Sequence, residues 1–201
     1  MKSNTQRSTR AFTLIEMLVV IVIIGILAAL LVPAVNRALD AAQVAKAKSD
    51  LSQLVTAVKS YEIEYGVLPT TSVSSSDGPE ATEGWFQDNN DELMRVLSGE
   101  AYNNLNQRRI VFMEFRAAKG SSGSFKDGLG SDNKFYDPWG TPYAVKLDTS
   151  YNNMLEYYDS AQNSNLSRTV IAISFGKNKV QQDPTKGTDK GLKVDDLVSF
   201  K

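Results

Sequence analysis

Residues 17–35 read Met-Leu-Val-Val-Ile-Val-Ile-Ile-Gly-Ile-Leu-Ala-Ala-Leu-Leu-Val-Pro-Ala-Val, nineteen residues without a charge, seventeen of them Ala, Val, Ile, Leu or Met. An apolar stretch of about 18 residues or more is a membrane-spanning candidate, because ~20 residues at ~1.5 Å rise cross a ~30 Å hydrocarbon core. Met1 to Ala11 carries Lys2, Arg7 and Arg10 and no acid. That bias predicts a cytoplasmic N-terminus with the bulk of the chain across the membrane. A cleaved secretory signal has a shorter apolar core, ~7–15 residues, and a small-residue stop. Here Asn36, Arg37 and a second helical pattern follow instead. A buried core helix is the other alternative, but uncharged runs of this length are rare in one.

Composition narrows the chemistry. The 201 residues include no Cys and no His. That excludes a disulfide framework, a thiolate nucleophile, sulfur-built metal sites, an imidazole base and histidine-ligated metals. A net charge of -1 gives no basic excess for nucleic acid, and no nucleic-acid partner is expected.

Two residues complicate a plain anchor. Glu16 stands at the start of the apolar run, and a carboxylate in lipid is costly unless paired or functional; head-group placement is the bland alternative. Pro33 lies inside the run, where proline removes a backbone bond and kinks or opens a helix. Beyond it Leu51, Leu54, Val55, Val58, Tyr61 and Tyr65 recur at three- and four-residue steps, an amphipathic stripe. Lys46, Lys48, Asp50, Lys59 and Glu62 fall on other faces, and Gly66 with Pro69 stops the pattern. Phe12 to Tyr65 would be a helix on the order of 80 Å if continuous. A domain this small cannot bury it, so its first half requires lipid or copies of itself. Gly25 could permit close helix approach, but it has no Gly-x-x-x-Gly partner.

The remaining chain predicts a modest α+β domain. Thr70 to Gly84 reads as a loop, Asn90 to Leu97 as a short capped helix, and Ile110 to Phe115 as a strand or buried extended segment. Residues 120–134 read as a Gly/Ser-rich loop. Tyr143 to Leu147, Leu155 to Tyr158 and Thr169 to Phe175 read as antiparallel strands, and Asp195 to Phe200 as a last short segment. Asp137-Pro138-Trp139-Gly140-Thr141-Pro142-Tyr143 is a turn motif in which Pro presets one angle, Gly permits the tight backbone and the aromatics bury area beside it. Its chemistry is structural. Gly120–Gly130 lacks a phosphate-loop pattern, and Asp91/Glu92 have none of the support a carboxylate pair needs for glycosidase work.

The string Arg10-Ala11-Phe12-Thr13-Leu14-Ile15-Glu16-Met17 and the run after it resemble the class III signal of type IV pilins and type II secretion pseudopilins. The resemblance implies cleavage by a prepilin peptidase between Ala11 and Phe12, methylation of the Phe12 amine, and a role for Glu16 in pairing with a neighbouring subunit's terminal amine during assembly. The family prefers Gly where Ala11 stands, which implies slower processing or a peptidase that tolerates Ala. Tyr61-x-x-x-Tyr65-Gly66-x-Leu68-Pro69, Asp137 to Tyr143 and Ser174-Phe175-Gly176 are similar to the major pseudopilins of type II secretion. Residues 71–136 are longer than that family places there.

The resemblance implies the type IV pilin-like fold, a long N-terminal helix packed on a small antiparallel sheet. Its segments are a cytoplasmic leader (1–11), a transmembrane and assembly helix (12–35) and a periplasmic globular domain (36–201). It implies a non-enzymatic subunit of a homo-oligomeric helical filament, anchored by a single pass in the inner membrane. Minor pseudopilins, the inner-membrane secretion platform and prepilin peptidase are its implied partners. It also implies a calcium site at Asn178, Asp195 and Asp196, with Asp183 and Asp189 between. Five lysines in the same loop oppose it, and a solvated mixed-charge tail is the alternative. A pilin of an extracellular fibre, or a membrane-anchored enzyme or binding module, are the rival functions.

Overall fold

The computed structural model describes residues 12–70, 90–159, 162–177 and 197–199. Helix α1 spans Leu14–Tyr65 and continues through Pro33. The chain divides into two compact units, Met1–Ala42 and Gln43–Lys201. In the first unit every described residue, from Phe12 to Ala42, is exposed.

The second unit is built on the α1 face that the three- and four-residue spacing predicts. Leu51, Leu54, Val58 and Tyr61 are buried there with Ala47 and Ala57. Gly66, at φ 71°, ends the helix by donating its amide to the Glu62 carbonyl at 2.8 Å, the left-handed C-terminal cap that glycine favours. Helix α2, Asn90–Leu97, buries Leu93, Met94, Val96 and Leu97 in the same core.

Among the described residues seven short strands follow: β1 Gly128–Leu129, β2 Phe135–Tyr136, β3 Ala144–Leu147, β4 Leu155–Asp159, β5 Gln162–Leu166, β6 Val170–Ser174 and β7 Leu197–Val198. They form three small antiparallel sheets, β1-β2, β3-β6-β7 and β4-β5, where one was expected. In the β3–β6 register, Val145 opposes Ala172 and Leu147 opposes Val170, and these four pack in the α1–α2 core. The alternate positions Ala144, Ile171 and Ile173 form a second core with Leu155, Phe175 and the half-buried Leu166. Period-two alternation thus sends one set toward α1 and the other toward the residues of the β4–β5 hairpin. Both faces of β3–β6 are buried, so these strands are apolar almost throughout.

Three readings are corrected. Ile110 to Phe115, expected as a strand or a buried extended segment, forms no strand and buries only Met113; Phe112 and Met113 instead donate their amides to the Leu97 carbonyl at the end of α2. The 120–134 stretch contains β1 within its loop. Strand β5, Gln-Asn-Ser-Asn-Leu, was not expected, because it has almost no apolar or β-branched residues to signal it.

Candidate assembly site

The start of α1 is a capping box. Thr13 precedes the helix, and its Oγ1 accepts from the Glu16 amide at 3.3 Å. In return Glu16 Oε2 accepts from the Thr13 amide and from the Thr13 hydroxyl, each at 2.8 Å. Thr-x-x-Glu at this spacing satisfies two amides that a helix start otherwise leaves open. Glu16, expected to wait for a partner on another subunit, already has one in its own chain. Phe12, just before it, is 73% exposed. Ala11, and with it the expected Ala11–Phe12 cleavage bond, lies outside the described residues.

From Leu14 to Leu39 the helix surface is dominated by exposed Leu, Ile, Val and Met side chains, with charged residues only at Glu16 and Arg37. The 18-residue window at its apolar maximum is wholly unburied within the chain. Exposed apolar surface of this extent requires lipid or protein to cover it.

Further along α1, Asp50 is buried although the sequence places it with the polar faces. It is held from outside its own helix. Arg116 Nη1 donates to Asp50 Oδ1 at 2.7 Å and Nη2 to Oδ2 at 2.6 Å, while the Tyr143 hydroxyl donates to Oδ2 at 2.7 Å. The other edge of Arg116 reaches Asp127, with Nε donating to Oδ1 at 3.1 Å. Lys46, one turn before Asp50, meets Asp127 at 2.6 Å, and Lys119 meets it at 2.9 Å. A bidentate guanidinium–carboxylate pair fixes orientation as well as charge, so the network registers α1 against the 116–127 segment.

Titration behaviour follows. Hydrogen bonding to Asp50 holds the Arg116 guanidinium above its ordinary value, against the opposing effect of burial. Burial pushes the Tyr143 hydroxyl up, and the neighbouring Asp50 charge adds to it. At Asp127 burial alone would raise the carboxyl, but Lys46, Lys119 and Arg116 together bring it down to about 2.

The Asp137–Tyr143 motif is the structural turn expected of it. Asp137 Oδ1 accepts the amides of Trp139, Gly140 and Thr141 at 3.0, 2.8 and 2.8 Å, and Oδ2 accepts the Ser174 hydroxyl at 2.7 Å. Gly140 sits at φ 93°, where a side chain would be strained. Burial pushes the Asp137 carboxyl up, opposed by these donors. Pro138 and Pro142 flank the turn, and the backbone of Tyr143 donates to the Phe135 carbonyl at 2.9 Å.

Asn178, Asp195 and Asp196 lie outside the described residues, as do Asp183 and Asp189. Among the described residues no three His, Cys, Asp or Glu gather to hold a metal ion.

Comparison with known proteins adds to this geometry. The prokaryotic N-terminal methylation motif matches residues 6–32. Type II secretion system core protein G of Pseudomonas aeruginosa is 33% identical over 136 residues, 64% of this chain and 88% of the relative. The Escherichia coli protein of the same name is 45% identical over 62 residues, 31% of this chain and 43% of the relative. The type IV major fimbrial protein FimA of Dichelobacter nodosus is 30% identical over 95 residues, 47% of this chain and 53% of the relative. No solved structure matches.

Proposed function

Since this chain belongs to the family of the type II secretion system core protein G, we propose that it is a structural subunit of a type II secretion pseudopilus. It carries a prepilin methylation motif and polymerises through its N-terminal helix to support protein export. The observation that carries this reading is the exposed apolar surface of α1, preceded by Phe12 and the Thr13–Glu16 cap. Alone in water such a helix has no stable state; in a membrane it is covered by lipid, and in a filament by neighbouring helices.

The finer parts of the proposal follow from the family. Prepilin peptidase cuts between Ala11 and Phe12, and the new Phe12 amine is methylated. The globular unit faces the periplasm from a single inner-membrane pass. The subunit joins copies of itself, with minor pseudopilins and the inner-membrane platform as further partners. A neighbour's amine draws Glu16 from Thr13, since a carboxylate in an apolar filament core gains more from a full positive charge than from an amide and a hydroxyl. Calcium at Asn178, Asp195 and Asp196 belongs to the same proposal; isothermal titration of wild type against the Asp195→Asn/Asp196→Asn pair tests it. No catalytic step is assigned to the chain's own side chains.

N-terminal sequencing of the membrane-extracted protein tests the central reading. A chain beginning at Phe12 supports it, and an intact Met1 in the assembled protein overturns it. The similarity to FimA favours one second reading, a subunit of an extracellular type IV fibre. Deleting the gene separates the two: loss of exported proteins from the medium marks secretion, whereas loss of surface fibres with export intact marks the fimbrial role.

A further inference from the structure

The second unit carries exposed apolar side chains at the end of α1. Ile63, in the last turn, is 85% exposed, and Val67, just past the Gly66 cap, is exposed as well. Tyr151 stands at the same point. Its ring is exposed while its hydroxyl accepts the Leu68 amide at 2.9 Å, and exposed Met154 follows on the same loop. The loop is built to hold this position. Buried Asp148 accepts the amides of Asn152 and Asn153 at 3.2 and 2.6 Å. Tyr151 lies at φ 55°, a left-handed setting that a bulky residue keeps only where its surroundings impose it.

The charge of the chain at that end is acidic. Residues 60–94 hold eight Asp and Glu and no Lys or Arg. Glu62, beside Ile63, meets no cation among the described residues. Against these acids stand Lys59, Arg109 and Arg108, the last already taken up by Glu64. The opposite surplus lies toward the other end of the unit. From Phe112, whose ring meets those of Tyr61 and Tyr65 at 5.2 and 6.2 Å, the chain runs back along α1. It reaches Asp50 with Arg116 and then Asp127 with Lys119, where Lys46 also arrives. Ile63 is 17 positions past Lys46, ~26 Å of helix. Lys119 and Lys126 face each other there across an antiparallel bridge, at the base of an exposed tip, Gly120 to Ser124. Lys126 is exposed and meets no carboxylate among the described residues. Asp127 is buried and already engaged by three cations.

We propose that the Lys119–Lys126 tip of one copy docks on the Ile63, Val67 and Tyr151 surface of a second copy, its lysines answering Glu62 and the other acids of 60–94. The inference rests on the filament role proposed above and extends it from the N-terminal helix to the globular unit. Tip and patch lie toward opposite ends of one unit and differ in charge, so the contact is head-to-tail. Head-to-tail contacts that do not close into a ring generate open filaments. Charge also fixes the direction of addition, since tip against tip sets lysine against lysine. The short side chains of Gly120 to Ser124 let the tip backbone lie close to Ile63 and Tyr151, and the half-buried Phe125 adds an aromatic edge of the kind enriched in protein interfaces.

The absence of cysteine makes the test direct. Ser122→Cys marks the tip and Val67→Cys the patch, with Ile63→Cys as a second patch position should Val67→Cys disturb folding. Sheared filaments are treated with a bis-maleimide too short to span the two positions within one copy. Filaments of the double variant should give a ladder of covalent dimers, trimers and longer chains. Each single variant should stay monomeric, and filaments co-assembled from the two single variants should stop at dimers. Protein dispersed in detergent should not link. Lys119→Gln/Lys126→Gln in the double-cysteine background should lower the yield of linked chains several-fold. Dimers from either single variant overturn the proposal, because they place like surfaces together. So does a ladder unchanged by removal of the lysines. Filaments without a ladder leave the patch to another protein and overturn this inference while the filament role stands. Electron microscopy of the same fractions reports assembly separately. Absence of any filament from the cysteine-free wild type overturns the filament role, and this inference with it.

Discussion

Arg116 and Asp50 meet through two parallel hydrogen bonds, 2.7 and 2.6 Å long, between residues 66 positions apart. The pair fixes the longitudinal and rotational setting of α1 against the 116–127 segment. Removing one partner strands the other, and for buried pairs this costs about 3–5 kcal/mol. The Arg116 side chain is 34% exposed, and solvent screening brings the expected loss below that range, to about 2–3 kcal/mol for Asp50→Ala or Arg116→Ala. Urea denaturation in detergent measures it. Asp50→Leu combined with Arg116→Met should recover most of the loss, and a double variant as unstable as the sum of the singles would refute the pairing account.

Acid should loosen the same network at its second carboxylate. Asp127 titrates near 3.8 when unperturbed and at about 2 in the folded chain. Its folded value is depressed, so its contribution is complete above about pH 4 and disappears as pH falls from there toward 2. The pH profile of unfolding free energy should flatten in that window in Asp127→Asn, while the wild type falls more steeply. Parallel profiles for the two proteins would contradict the assignment.

Asp137→Ala removes acceptors for three turn amides and the Ser174 hydroxyl. A cost of about 3 kcal/mol or more is expected, since bonds to a charged acceptor contribute ~1.5–3 kcal/mol each and the donors are left buried. Asp137→Asn should cost much less. It keeps a carbonyl oxygen for the amides, and burial already disfavours the charged form. Chemical denaturation of the two variants side by side distinguishes this turn role from one that needs the charge.

Glu16 can be separated into its two roles. Gln at the fourth position of a capping box still accepts the Thr amide, so Glu16→Gln should preserve the start of α1 while removing the charge a neighbouring amine would meet. Glu16→Ala removes both. Membrane insertion should survive in both variants and filament formation should fail in both, as read by shearing and electron microscopy. Normal filaments from Glu16→Gln would show that Glu16 acts only as a helix cap.

Gly128 stands at φ 153°, and a Cβ there would lie 2.6 Å from the Ala117 carbonyl oxygen. Gly128→Ala should destabilise the globular unit by about 2 kcal/mol, within the range for a strained backbone position. The bridge between Leu129 and the 116–118 segment should be the first structure affected, visible as faster exchange of the Leu129 amide, which donates to the Arg116 carbonyl at 2.8 Å.

Much of this architecture is written locally. The apolar run, the α1 stripe ending at Gly66, the capped α2 and the Asp137 turn each depend on residues within a few positions, and each is readable from spacing and turn chemistry. Asp50 was hidden because its environment comes from Arg116 and Tyr143, far along the chain; beside Lys46 and Lys48 it resembles any solvated helix charge. Strand β5 was hidden for the opposite reason. Its sequence carries no strand signal, and its conformation is imposed by pairing with β4, where Leu155 opposes Leu166. The Thr13–Glu16 cap had a visible signal, Thr-x-x-Glu, overshadowed because the apolar run directed attention to the cost of the carboxylate in lipid.

The covering of β3–β6 on both faces has a kinetic consequence. Amides in a strand pair enclosed by two apolar clusters open only with the whole unit, whereas helix amides shielded by nothing in their own chain open locally. Solvent deuterium should therefore enter residues 36–42, the exposed stretch of α1 beyond the apolar run, long before Val145 or Ala172 in a dispersed subunit, whose apolar run is shielded by lipid or detergent. Once subunits are assembled, the same helical amides become slow and the strand pair barely changes. Exchange along one chain thus carries its own internal clock, and the fraction of α1 that has stopped exchanging counts the subunits that have found neighbours.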